Sequence, residues 1–77
     1  MSTQPQIRTW GAGVRTLRGY AGMSQIELAK KSGCTQATIS RLETGSLKLS
    51  DGARVRIARA LGADPHKLFP YEDDDVA

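Results

Sequence analysis

Only two residues, Gly33 and Cys34, separate the end of one short helical segment from the cap of the next. In "MSQIELAKKSG", Ser24 stands as an N-cap and Glu27 follows three residues later, the spacing of a capping box. Met23 and Leu28 flank that cap at the positions of a hydrophobic staple. Gly33 falls where the helix must stop and turn with positive φ. The spacing predicts a helix over 25–32. Thr35 caps a second helix over 36–44, with Cys34 and Ile39 as its staple, Ile39 and Leu42 as its buried residues and Gly45 as its stop. Two short helices joined so tightly must cross steeply.

The rest of the chain supplies a scaffold for that pair. Ile7, Trp10, Val14, Leu17 and Ala21 recur at steps of three and four, which predicts a helix over roughly 6–21. Gly11, Gly13 and Gly19 weaken it, each by up to about 1 kcal/mol relative to Ala, so packing must hold it. After a loop, "SLKLS", a fourth helix is expected over 51–61, capped by Ser50 or Asp51, with Val55, Ile57, Ala58 and Leu61 apolar. Asp64-Pro65 is a cap followed by a first-turn proline, which starts a fifth short helix through Leu68 and Phe69. The expected fold is all-α, five short helices, with a helix-turn-helix formed by helices two and three. The expected organisation is a flexible arm over 1–6, one domain over 7–70 and a disordered acidic tail over 71–77.

Composition bounds the function. Seventy-seven residues make one small domain. No apolar run approaches the roughly eighteen residues of a membrane span, and the N-terminus lacks a hydrophobic signal segment. Cys34 is the one cysteine, so neither an internal disulfide nor a zinc site is expected, and no cofactor is. A cytoplasmic, nucleoid-associated protein of bacterial or phage origin is the simplest reading. Net charge is +3, but Glu72, Asp73, Asp74 and Asp75 cluster at the C-terminus. Leaving those four aside, four acidic residues face eleven Lys and Arg, an excess of seven that suits a polyanion. The tail is either a solvated terminus or a mimic of phosphate competing for the basic face.

The run Gln25, Leu28, Ala29, Gly33, Thr35, Ile39, Ser40, Leu42, Glu43 and Gly45, followed by "IARALG" and "LF", resembles the Cro and phage-repressor type of helix-turn-helix domain, the XRE or lambda-repressor-like family. The resemblance covers about residues 14–69. Ala29 falls where the family needs a small residue at the helix crossing. Three positions depart from the pattern. Arg54 stands where the family buries a leucine, Asp51 and Gly52 are poor first-turn residues, and Ser32 replaces an apolar one. Arg54 is expected to lay its stem on the core with its head in water, and Ser32 to return its hydroxyl to a carbonyl one turn back.

A helix reading a major groove needs amide, guanidinium and hydroxyl groups near its N-terminal end. "TQATISRLETG" has them. The Gln36 amide can pair two-pronged with adenine, and Arg41 with guanine O6 and N7. Ala37 offers a methyl to thymine, and Thr38 and Ser40 reach a base or a phosphate. By resemblance Gln36, Ala37 and Arg41 match the family's base-contacting positions. Phosphate contacts are expected from Ser24, Gln25, Thr38, Thr44, Ser46 and Lys48. Gln25 matches a family phosphate clamp, Ser24 serves equally as a pure cap, and Lys48 as a solvated lysine. The resemblance also implies that Arg18, late in helix one, pairs with Glu43 at the end of helix three. Lys30, Lys31, Arg56 and Arg59 read as solvated faces, and His66 as a surface histidine.

One helix reaches only about four base pairs, so a homodimer on a near-palindromic double-stranded operator is expected. Leu47, Leu49, Phe69 and Tyr71 are candidates either for its interface or for plain core. The expected role is a small transcriptional regulator, a Cro-like repressor or restriction–modification controller. An antitoxin or adaptor whose main partner is a protein is the rival, with Arg54 facing that partner. An enzyme is disfavoured, since one His and one Cys far apart supply no nucleophile with a base and an orienting acid.

Overall fold

At Ser24 the backbone is extended, and the two halves of the capping box are both made. The Glu27 amide donates to Ser24 Oγ at 3.0 Å, and the Ser24 amide donates to Glu27 Oε1 at 2.8 Å. The Ser24 amide, and after it the Ser24 hydroxyl, act on the Glu27 carboxyl and hold it below its usual pKa. The helix that follows runs Gln25–Ser32 and ends at Gly33, whose φ of 72° is the left-handed turn expected there. Thr35 then opens the next helix, Gln36–Glu43, by accepting the Thr38 amide at 3.1 Å. The computed structural model describes residues 5–69, with side chains from residue 9 onward. Among them are five helices and no strand: α1 Pro5–Tyr20, α2 Gln25–Ser32, α3 Gln36–Glu43, α4 Asp51–Ala60 and α5 Pro65–Leu68. The tail and residues 1–4 of the arm lie outside the described residues; Pro5 and Gln6 already belong to α1.

The core is one cluster drawn from all five helices: Trp10 and Val14 of α1, Leu28 and Ala29 of α2, Ile39 and Leu42 of α3, Ile57 and Ala58 of α4, and Leu68 of α5, with Phe69 closing it. α1 packs on α3 and α5, α2 on α3 and α4, and α4 on α5. Ala29 is almost wholly buried on α2, within the shared core, where a larger side chain would have to displace its neighbours. Ala21 lies beyond the end of α1 and is exposed, because the helix stops at Tyr20 and Gly22 turns with φ 66°. Val55 is only half-buried; Ala53 and Arg54 take the buried places on that side of α4.

Arg54 differs from the expectation. Its head is not in water: the residue is 6 % exposed. Its guanidinium lies 4.8 Å from the centroid of the Trp10 ring, donates from Nη1 to the Leu49 carbonyl at 2.8 Å, and pairs through Nη2 with Asp51. A ring face, a carbonyl and a carboxylate compensate the charge for lost water, which an apolar lining could not do. Arg54 is therefore closed to a protein partner. Ser32 behaves as expected, donating from Oγ to the Leu28 carbonyl at 2.7 Å. Leu49 and Phe69 are plain core; the Phe69 ring meets Trp10 edge-on at 5.4 Å.

Gly11 has a role that helix propensity hides. A Cβ there would strike the Leu42 carbonyl oxygen and lie 3.0 Å from Glu43 Cα, so α1 and the end of α3 touch backbone to backbone. Gly11→Ala is expected to lower the melting temperature sharply, at the upper end of the about 1–3 kcal/mol typical of overpacking. Gly19→Ala, whose added Cβ meets nothing within 4 Å, is expected to raise it. Circular-dichroism melting of both variants checks the contrast; equal effects would remove the close approach as the reason for Gly11.

Candidate nucleic-acid interface

With about 100° between successive residues, Gln36, Ser40, Ala37 and Arg41 span about 140° of the α3 circumference. Ile39 and Leu42 occupy the other side and are fully buried. Gln36, Ala37 and Arg41 are exposed, while Ser40 and Thr38 are half-buried. The Thr35 hydroxyl donates to Thr38 Oγ1 at 3.0 Å, which leaves the Thr38 proton directed away from the cap. The structure therefore gathers the expected base-reading side chains on one outward face of a helix anchored by its core side.

The far end of α3 is held by ions. Arg18 Nε donates to Glu43 Oε2 at 2.7 Å and Nη2 to Oε1 at 3.0 Å, a two-pronged pair. Arg18 Nη1 also donates to the Met23 carbonyl at 2.9 Å, and Gln25 Nε2 donates to Glu43 Oε1 at 3.0 Å. The Glu43 side chain is 4 % exposed and that of Arg18 19 %. Burial pushes the Glu43 carboxyl up, yet the bonds from Arg18 and Gln25 and the nearby Arg18 and Arg15 charges leave it below its usual value. The same bond raises the Arg18 pKa. One carboxylate thus ties the end of α1, the start of α2 and the end of α3. Sequence reasoning missed the Gln25 link; Gln25 was expected on phosphate, and one of its amide protons is committed inward.

The expected phosphate contacts flank α3. Ser24 and Gln25 begin α2, where first-turn amides and the positive end of the helix dipole face outward. After α3, Gly45 turns with φ 77°, and the Thr44 and Ser46 hydroxyls both donate to the Arg41 carbonyl, at 3.0 and 3.1 Å. Either must swing to donate to a phosphate. Along the loop, Ser46, Lys48 and Ser50 are exposed while Leu47 is half-buried and Leu49 buried. On the opposite side of α2, Arg56 Nε donates to the Ser32 carbonyl at 3.0 Å, so this residue is a strut between α4 and α2 rather than a purely solvated face. No helix is long and apolar enough to cross a membrane, and no metal-holding group of three or more His, Cys, Asp or Glu occurs among the described residues.

A short helix capped at its start, tied at its end and carrying an outward hydrogen-bonding face is the reading head of a helix-turn-helix DNA-binding domain. Residues 11–68 match a family described as a helix-turn-helix domain, and the chain belongs to it. Two relatives carry the name uncharacterized HTH-type transcriptional regulator. One, from Archaeoglobus fulgidus, is 38 % identical over 63 residues, covering 82 % of this chain and 90 % of its own length. The other, y4dL from Sinorhizobium fredii, is 41 % identical over 61 residues, covering 74 % of this chain; the chain spans only 31 % of that relative. Among solved structures, the restriction–modification controller C.AhdI from Aeromonas hydrophila superposes with a TM-score of 0.81 at 30 % identity, covering 86 % of this chain and all of that one.

Proposed function

We propose that the chain is a sequence-specific transcriptional repressor, Cro-like or controller-like, that reads the major groove with the face of α3 and binds a near-palindromic operator as a homodimer. The observation that carries this reading is the fixed outward set Gln36, Ala37, Ser40 and Arg41 on a helix anchored at both ends. Gln36 and Arg41 supply two-pronged readout of adenine and guanine, Ala37 a methyl contact, and Ser40 a hydroxyl. Ser24, Gln25, Thr38, Thr44, Ser46 and Lys48 grip phosphates on either side, and the Arg18–Glu43 pair sets the angle of the head. In this role the protein works in the cytoplasm, at the nucleoid, with no catalysis and no cofactor.

A second head comes from a second copy. With Leu49 and Phe69 consumed by the core, an open apolar groove of about 630 Å³ remains between α1 and α5, lined by Ala12, Gly13, Leu17 and Leu68. Asp64 and Lys67 line it together, so two copies meeting about a two-fold axis can exchange an acid for a base.

Selection of bound sites from random duplexes, followed by titration of the winner in rising salt, tests the proposal. The expected winners hold two inverted half-sites about one helical turn apart, and log K falls linearly with log salt. A pool that never enriches removes the repressor reading.

A further inference from the structure

The buried Arg54 sits where it can act on the loop between α3 and α4, and an apolar residue there could not. Two of its contacts lie where that loop runs into α4: the carbonyl of Leu49 and the carboxylate of Asp51, the first residue of the helix. Another, the face of Trp10, belongs to α1 and is itself fixed edge-on against Phe69. The guanidinium is thus a peg between the centre of the core and the backbone of residues 49–51. The same loop turns Ser46, Lys48 and Ser50 to solvent and Leu47 and Leu49 inward. Sliding it by one residue would exchange the two sets.

We infer that Arg54 is a positioning residue for phosphate binding: it fixes the register of residues 46–50 and draws the Asp51 carboxylate away from incoming phosphates. The inference rests on the DNA-binding reading above. Asp51 gives it a second leg. Its side chain is 90 % exposed at the first position of α4, just past the loop that carries Lys48. An acid at that place opposes a polyanion, and pairing with Arg54 both neutralises it and limits where it can point. Planarity matters: one guanidinium prong takes the carbonyl while another takes the carboxylate, which an ammonium on a flexible stem cannot hold as firmly.

The test uses the full chain with Arg54→Leu and Arg54→Met, the selected duplex and an unrelated duplex of equal length. Both variants are expected to melt within a few degrees of the parent, because replacing a buried charge by an apolar side chain is often close to neutral. Amide hydrogen exchange at residues 46–50 should accelerate about tenfold or more, with α3 unchanged. Affinity should fall about tenfold for both duplexes, leaving their ratio intact, and the salt slope should become shallower by about one phosphate. Adding Asp51→Asn to Arg54→Leu should recover part of the affinity without slowing loop exchange. Arg54→Lys, which keeps the cation and loses the fork, covers the case in which the apolar variants do not fold; it too should speed loop exchange. Folded variants with parental exchange at 46–50, or with a parental salt slope, overturn the inference. So does loss of the selected-to-unrelated ratio, which would put Arg54 in base reading. If the parent itself binds no duplex, the function proposed above fails, and the exchange rates alone decide whether Arg54 fixes the loop.

Discussion

Gln36→Ala and Arg41→Ala, separately, flatten the preference for the selected site while weak, salt-sensitive binding to any duplex survives. Each side chain is exposed on α3 and opposes the buried pair Ile39 and Leu42, so truncation leaves no cavity and should not disturb folding. Ala is also the best helix former, which makes unchanged or slightly higher melting the expected control. The loss is therefore one of discrimination. A good two-pronged contact separates the right base from a wrong one by about 1–3 kcal/mol, roughly 5- to 150-fold. The floor that remains comes from the phosphate grip, which carries no base information. Gel-shift titrations at two salt concentrations separate the two: the variants should show a smaller ratio between selected and unrelated duplexes at an unaltered salt slope. A ratio unchanged in both variants would take base reading away from this face of α3.

Why that face and its caps were legible from the sequence, while several of the contacts that support it were not, follows from the range of the interactions. Ser24, Glu27, Gly33 and Thr35 act on amides within three or four residues, so their spacing alone places α2 and α3, and the helices begin where the caps require. α3 and α4 each end a residue early, with Thr44 and Leu61 as caps, because the last turn closes through bonds that sequence spacing does not encode. Gly11 illustrates the opposite limit. Read locally it only weakens α1; its reason is the backbone of Leu42 and Glu43, more than thirty residues away. Gln25 and Arg56 are similar: each has an acceptor, Glu43 Oε1 or the Ser32 carbonyl, that exists only once helices have docked. For Arg54 the expectation of a stem on the core and a head in water follows from charge being usually solvated. Nothing in its own neighbourhood announces the ring of Trp10, which arrives from α1.

The Arg18–Glu43 pair should dominate stability, and unequally from its two sides. Removing Arg18 strands a carboxylate that is 4 % exposed, with Gln25 the one hydrogen-bond donor left to it among the described residues. Breaking a buried pair in that way costs about 3–5 kcal/mol, which for a domain of this size lowers melting by on the order of 15 °C. Removing Glu43 strands an arginine that still reaches water at 19 % exposure and still donates to the Met23 carbonyl, so Glu43→Ala should cost less, about 2 kcal/mol. Glu27→Ala removes a solvent-exposed cap contact and should cost least. pH separates the pair from ordinary packing. The folded Glu43 carboxyl lies below its usual value, so its stabilisation is whole above the unfolded pKa of about 4.3 and is lost as pH falls through the lower folded value. Glu27 shifts in the same direction and titrates in both proteins, so it cancels between them. The melting gap between the parent and Glu43→Ala should therefore be widest at neutral pH and narrow steadily under acid, while the gap for Gly11→Ala should not. Melts at pH 7 and near pH 3 measure both. A Glu43→Ala gap that stays constant across that span would mean the pair is packing alone, and the carboxylate would no longer explain how the end of α3 is held.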